Sequence, residues 1–151
     1  MTSGGNGQQH LVVVGVDGST ESVAALKWAA HYAEATGATV QALLAWHYPT
    51  AAGVPPVGIT PDVVRSESEH QMAEALGDAV SQAAASYPGA RIESKTVYGH
   101  PSEMLIDASK EASLLVVGSR GHGAFTGMLV GSVSIHCVTG AHCPVVVVRG
   151  D

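Results

Sequence analysis

Short apolar runs alternate along the chain with longer segments in which apolar residues recur at helical spacing. Four of the runs are almost entirely apolar: residues 11–16, 40–46, 114–117 and 145–148. Such runs are typical of strands that are buried on both faces, as in a parallel sheet covered by helices. Residues 91–98 instead alternate and contain Glu93 and Lys95, which indicates a strand at the edge of the sheet.

Helical segments follow each of the first four strands, and local signals mark their ends. Ser19 is a good N-cap, and Gly37 suits the C-terminal end of the same helix. The other predicted helices run from about Pro61 to Ser86, from Pro101 onward, and from Ser132 to Gly140. Strands that alternate with helices predict an α/β fold with a doubly wound parallel sheet. Ligands of such sheets bind beyond the carboxyl ends of the strands, where the strand order reverses.

Composition narrows the class of protein. The 151 residues fit one domain with a full core. We expect a flexible tail at residues 1–10, one domain at residues 11–151, and a long loop at residues 48–61, which hold four prolines and two glycines.

The net charge of −6, with only seven lysines and arginines, argues against a nucleic-acid surface. No apolar run is long enough to span a bilayer and no signal peptide is evident, so we expect a cytoplasmic protein.

The segment from Gly118 to Ser134 contains the candidate chemistry. Its glycines let the main chain approach a ligand closely, and the N-terminus of the following helix favours an anion. The chain lacks the lysine of a P-loop, and Thr126 stands where the dinucleotide fingerprint needs its third glycine. The pattern that fits is G-x-x-G, nine residues, then G-S: Gly118, Gly121, Gly131 and Ser132. We therefore predict a phosphate cradle for a nucleotide.

Together with GVDGS at residues 15–19, GHP at residues 99–101 and CPVVVV at residues 143–148, this pattern resembles the universal stress protein family in its ATP-binding branch. The resemblance extends from Leu11 to Arg149. It implies a five-stranded parallel sheet in the order 3-2-1-4-5 with helices on both faces, the Rossmann-like fold of the adenine-nucleotide alpha hydrolase type. It also implies bound ATP and a homodimer formed through the last strand, Val145–Val148.

The resemblance also implies roles for single residues. The backbone of Trp46 would meet the adenine, and Asp17 would lie near the ribose and phosphates, with Mg²⁺ bridging the negative groups. Backbone N–H groups of the glycine segment and the hydroxyls of Ser132 and Ser134 would donate to the phosphates. The implied nucleotide-binding residues are Gly15, Val16, Asp17, Trp46, Val117, Gly118, Arg120, Gly121, His122, Gly131, Ser132, Val133 and Ser134.

Several alternatives remain open at this point. The dipeptides His136-Cys137 and His142-Cys143 could suggest zinc, but neighbouring helical residues point in different directions. The remaining histidines share no spacing that suggests a site: His10, His31, His47, His70 and His100. The expected function is an ATP-dependent sensor or regulator of the stress response, with an unknown protein partner. The alternatives are a weak ATPase or adenylyl-transferring enzyme, an AMP or cyclic AMP binder, and an interaction protein that binds no nucleotide.

Overall fold

The structure, a computed structural model, describes residues 10–47, 61–120 and 131–150, with the backbone alone for residues 61–65. Strands and helices alternate throughout. The strands are β1 (Leu11–Gly15), β2 (Thr39–Trp46), β3 (Arg91–Tyr98), β4 (Leu114–Gly118) and β5 (Val145–Val148). The helices are α1 (Thr20–Thr36), α2 (Pro61–Ser86), α3 (Pro101–Ser109) and α4 (Ser132–Gly140).

All five strands pair in parallel, in the order β3-β2-β1-β4-β5, which confirms the predicted fold class. The strand order reverses between β1 and β4, which are hydrogen-bonded neighbours with Val14 opposite Val116. The charged strand β3 lies at one edge of the sheet, as its alternating pattern predicts, and β5 lies at the other. The carboxyl ends of β1 and β4 therefore flank the crevice in which such sheets bind ligands.

The helices cover the two faces of the sheet and produce two separate apolar cores. Alternate residues of the inner strands, such as Val12 and Val14 of β1, pack with the alanine-rich side of α1 and with α2. Val13 points to the opposite face, where the core includes Leu105 of α3 and Cys137 of α4. The strands are uniformly apolar because both of their faces are covered.

Local signals set the ends of the elements as expected. The Ser19 hydroxyl accepts the N–H of Ser22 at 3.1 Å and caps α1, which ends at Gly37 with a positive φ of 78°. β2 begins one residue earlier than predicted, and β4 extends one residue further, to Gly118. The predicted tail falls outside the described residues except for His10, as do residues 48–60 of the predicted loop and residues 121–130 of the glycine segment.

Candidate functional site

The carboxyl ends of β1 and β4 bring together the two segments that the sequence singles out. The chain leaves β1 at Val16, which is buried and whose N–H donates to the carbonyl of Leu43 in β2 at 2.9 Å. It leaves β4 at Gly118, next to the buried Val117. Because β1 and β4 are neighbours, the turn after β1 and the first residues of the glycine segment lie side by side.

The turn after β1 holds a carboxylate in a defined position. Oδ1 of Asp17 accepts the N–H of Ser19 at 2.9 Å, and the hydroxyl of Ser22 accepts the N–H of Asp17 at 3.3 Å. Gly18 has a φ of 86°, a conformation that glycine adopts without strain. Asp17 is exposed to solvent at the entrance of the crevice.

Two hydrogen bonds attach the beginning of α4 to the end of β4. The N–H of Gly131, the N-cap of α4, donates to the carbonyl of Ser119 at 2.5 Å. The hydroxyl of the buried Ser134 donates to the carbonyl of Gly118. The Gly131 N–H and the Ser134 hydroxyl proton are thus engaged within the protein, and their expected contacts with phosphate stay predictions. Both groups position the helix.

The donors that remain at this end of α4 are backbone amides. Ile135 is the residue whose N–H bonds to the cap carbonyl of Gly131, at 3.0 Å. The N–H groups of Ser132, Val133 and Ser134 precede it and have no acceptor within the helix. Ser132 is exposed, so its hydroxyl is also accessible. Free amides and the positive end of the helix dipole favour an anion at this position.

Two of the glycines in the expected site lie close against helices, Gly15 against the flexible end of a leucine side chain and Gly118 against helix backbone. A Cβ on Gly15 would lie 2.8 Å from Cδ1 of Leu105 in α3. A Cβ on Gly118 would lie 2.9 Å from the carbonyl carbon and oxygen of Glu21 in α1. Glycine at these positions therefore lets helices approach the strand ends closely, whether or not a ligand also approaches.

The main chain of Trp46, at the end of β2, is the expected adenine contact. The carbonyl of Trp46 accepts the N–H of Gly99 at 2.8 Å, so this carbonyl faces β3 and points away from β1. Main-chain groups of successive strand residues point to opposite sides, and the Leu43 carbonyl faces β1. The main chain of Ala45, two residues further on, faces β1 as well. The Trp46 ring is buried and packs edge-on against Tyr98, with the centroids 5.0 Å apart.

Two histidines lie together at the carboxyl ends of β2 and β3, and neither belongs to the site that the sequence predicts. The rings of His47 and His100 lie 4.2 Å apart, centroid to centroid. Their positions after neighbouring parallel strands are the signal that could have found them: His47 follows β2 by one residue, and His100 follows β3 by two. Spacing along the sequence alone does not reveal this pairing.

The pairs His136-Cys137 and His142-Cys143 do not converge on a zinc site. Both cysteines are free thiols, and Cys137 is fully buried on the core side of α4. Burial raises the pKa of Cys137 to about 11 and raises the pKa of Cys143 as well. Within residues 10–47, 61–120 and 131–150, no three histidine, cysteine or acidic side chains are placed to share a metal ion. None of the helices described there is long and apolar enough to cross a membrane.

The sequence profile of the universal stress protein family matches residues 10–149. The chain belongs to the universal stress protein family. A universal stress protein of Mycobacterium tuberculosis, Rv2623, is 38% identical over 142 residues, which are 94% of this chain and 46% of that protein. The chain thus spans about half the length of the curated universal stress proteins that it matches.

Solved universal stress protein structures share the fold. UspA from Lactobacillus plantarum has a TM-score of 0.74 and 28% identity, with 95% of this chain and 100% of that chain covered. A universal stress protein in complex with cAMP has a TM-score of 0.64 and 27% identity, with 95% and 98% covered. These likenesses agree with the observed strand order and with the layers of helices on both faces.

The structure brings most of the expected site residues to the carboxyl ends of the strands. Asp17, Gly118, Arg120 and Ser132 lie around the ends of β1 and β4. Gly15, Val16 and Val117 are the last residues of those strands or directly follow them, and Val133 and Ser134 are in the first turn of α4. Gly121 and His122 lie outside the described residues.

Proposed function

We propose that this universal stress protein binds an adenine nucleotide in the crevice between the ends of β1 and β4 and acts as a nucleotide-dependent sensor or regulator in the stress response. One observation carries the proposal: the beginning of α4 is fixed to the end of β4, so the amides of its first turn, which have no acceptor within the helix, lie beside the crevice. Fixed amide donors at a helix N-terminus are suited to a phosphate group.

The nucleotide is proposed to lie across the strand ends. Main-chain groups of Ala45 that face β1 would contact the adenine, together with the buried Val16, whereas the family resemblance implies Trp46. Val117 and Gly118 would line the ribose side. The amides of Ser132 and Val133 and the Ser132 hydroxyl would bind the phosphates, with Gly121 and His122 kept as proposed contacts from the sequence pattern.

ATP with Mg²⁺ is the proposed ligand, and cyclic AMP is the second candidate because a relative of 27% identity binds it. Asp17 fits a role beside Mg²⁺, since the ion is commonly held by one or two carboxylates together with substrate phosphates. Bound between this carboxylate and the phosphates, the cation would offset their mutual repulsion. Nothing in this arrangement requires a catalytic step.

Two further parts of the proposal concern partners and location. Among the described residues, β5 pairs with β4 on one side only and lies at the edge of the sheet, with its four valines half-buried. Pairing β5 with a second copy across a two-fold axis would satisfy this edge, so we propose a homodimer through Val145–Val148. The two free thiols suit a reducing compartment, in keeping with the cytoplasm. We also propose that the protein acts on a regulatory protein partner.

The deciding experiment is isothermal titration of the full chain with ATP, AMP and cyclic AMP, in the presence of Mg²⁺ and again with a chelator. Native mass spectrometry of gently purified protein would identify any nucleotide that remains bound. We expect saturable binding of at least one of the three nucleotides, and tighter ATP binding with Mg²⁺ than without it. Absence of binding by all three would overturn the proposal and favour an interaction protein.

A further inference from the structure

We propose that Glu21 sets how strongly the site favours additional phosphate groups, because it holds a carboxylate against Arg120. Arg120 is the one lysine or arginine in the segment from Gly118 to Ser134. This inference rests on the proposed nucleotide site and adds a determinant of its selectivity. It concerns the charge of the site, whereas the backbone amides decide whether a phosphate binds at all.

The position of Glu21 is fixed by close packing on two sides. Its backbone in the first turn of α1 leaves no space for a side chain at Gly118, where a Cβ would lie 2.9 Å from the Glu21 carbonyl carbon. A Cβ on Gly150, just after β5, would lie 2.8 Å from Cγ of Glu21. Glu21 is thus wedged between the ends of β4 and β5, and its side chain is only 16% exposed.

Both oxygens of the carboxylate have a donor. Oε2 lies 3.4 Å from a guanidinium nitrogen of Arg120, and Oε1 accepts the hydroxyl of Thr20 at 3.0 Å. The two partners hold the carboxylate toward the glycine segment. The Arg120 side chain is 42% exposed, so solvent screens the pair and its contribution to stability is small. The pair therefore matters through its charges, which act on any ligand that binds beside it.

Arg120 directly follows a residue whose backbone is bonded to the N-cap of α4. Its neighbour Ser119 donates its N–H to the carbonyl of Val148 at 2.7 Å and accepts the N–H of Gly131 at 2.5 Å. The backbone just before Arg120 is thereby tied to the N-cap of α4. A guanidinium attached here would attract phosphate, and each added phosphate would strengthen the attraction.

Glu21 cancels this positive charge. With Glu21 and Arg120 paired, the two side chains contribute no net charge, and a second or third phosphate gains little from them. Replacing Glu21 by glutamine keeps the shape of the wedge but leaves one positive charge beside the site. The affinity should then rise more for ATP than for AMP, and adenosine, which has no phosphate, should be unaffected.

The test is titration of the wild-type chain and of Glu21→Gln with ATP, AMP and adenosine at one fixed Mg²⁺ concentration. We expect the ratio of ATP to AMP affinity to rise roughly tenfold in Glu21→Gln, the scale of one charge-assisted hydrogen bond. Glu34→Gln is the matched control, because it removes the same negative charge from the same helix. The Glu34 carboxylate accepts the N–H of Gly89 at the opposite end of the sheet. This control should leave the ratio unchanged.

A double variant, Glu21→Gln with Arg120→Gln, tests whether the guanidinium carries the effect, whereas Glu34→Gln, which has the same net charge as Glu21→Gln, controls for a general change in charge. The double variant should return the ratio to the wild-type value. Wild-type binding combined with an unchanged ratio in Glu21→Gln would overturn this inference and leave the proposed function standing. A wild-type chain that binds no adenine nucleotide would overturn both. A ratio that stays raised in the double variant would also count against the role of Arg120.

Discussion

The backbone of Glu21 in α1 occupies the space that a side chain at Gly118 would need: a Cβ there would lie 2.9 Å from the carbonyl carbon and from the carbonyl oxygen. Real Cβ atoms do not approach other main-chain atoms so closely, and main-chain atoms cannot rotate away as a side chain can. Gly118→Ala should therefore push α1 away from the end of β4. We expect the free energy of unfolding to fall by about 1–3 kcal/mol, as measured by chemical denaturation.

Gly77→Ala is the control for Gly118→Ala. Gly77 lies in α2, where an added Cβ would have no neighbour within 4 Å, and it is exposed. Alanine there should raise the free energy of unfolding by roughly 0.5–1 kcal/mol, since glycine is a poor helix former. Equal effects of the two changes would show that close packing at Gly118 does not matter.

Ser134 connects α4 to β4, and its replacement should loosen the site. In Ser134→Ala the carbonyl of Gly118 loses the hydroxyl donor, in a buried position. We expect a loss of about 1–3 kcal/mol in the free energy of unfolding and a weaker affinity for nucleotide, because the amides of α4 would be held less firmly. Chemical denaturation and calorimetric titration measure the two effects.

Thr139→Ala tests whether any lost hydroxyl on α4 would do the same. The Thr139 hydroxyl bonds to the carbonyl of Ile135 at 3.0 Å within the helix and is exposed. Its removal should change the free energy of unfolding by no more than about 0.5 kcal/mol and leave the nucleotide affinity as it was. If Ser134→Ala resembled Thr139→Ala in both measurements, Ser134 would have no positioning role.

Burial gives the two cysteines different reactivities. The thiolate is the reactive form, and with a pKa of about 11 Cys137 is a thiolate in roughly one molecule in a thousand at pH 8. Iodoacetamide at pH 8 should therefore modify the half-buried Cys143 first and Cys137 only after denaturant is added, as peptide mass spectrometry can show. Modification of both at equal rates in the native protein would contradict the buried position of Cys137.

The raised pKa of Cys137 also predicts how stability depends on pH. The folded protein keeps the thiol proton up to about pH 11, whereas the unfolded chain releases it near the ordinary value of 9.0. The contribution of the Cys137 thiol to the free energy of unfolding is fully present below pH 9. It declines as the pH rises toward 11, because the unfolded state loses its proton first. Cys137→Ala should remove this decline, whereas Cys143→Ala should preserve most of it.

Patterns local in sequence predict the fold well. The apolar run before Gly118 and the alternation around Glu93 and Lys95 identify an inner strand and an edge strand, because burial on one or both faces determines which residues are tolerated. The N-cap Ser19 is likewise evident. The contacts among residues distant in sequence are not: the wedge of Glu21 against Gly118 and the pairing of His47 with His100 depend on how the strands are ordered in the sheet.

The same limit affects the candidate site. The glycine spacing predicts an anion site at the beginning of α4, where Ser132 and Val133 are the first two residues of the helix. It does not reveal that the Gly131 N–H and the Ser134 hydroxyl are used to fix the helix, nor that the Trp46 carbonyl faces β3. Which polar group is already engaged depends on tertiary hydrogen bonds that no single-segment pattern encodes.

A negative charge at the beginning of α4 should weaken nucleotide binding while leaving the fold stable. Ser132 is the first residue of α4 and is exposed, so Ser132→Asp should fold normally, and the helix should gain about 0.3–1 kcal/mol from its dipole. The carboxylate would nevertheless repel phosphate and compete for the same amides. We expect calorimetric titration to show nucleotide affinity reduced at least tenfold, while the thermal midpoint is kept or raised.

Ser102→Asp is the matched control for Ser132→Asp. Ser102 lies in the first turn of α3, which also begins at the carboxyl ends of the strands but follows β3, a strand that β2 separates from the crevice between β1 and β4. The variant has the same net charge and the same favourable position relative to a helix dipole, so it should bind nucleotide like the wild type. Equal loss of affinity in both variants would mean that total charge governs binding. Full affinity in Ser132→Asp would place the phosphates elsewhere than at α4.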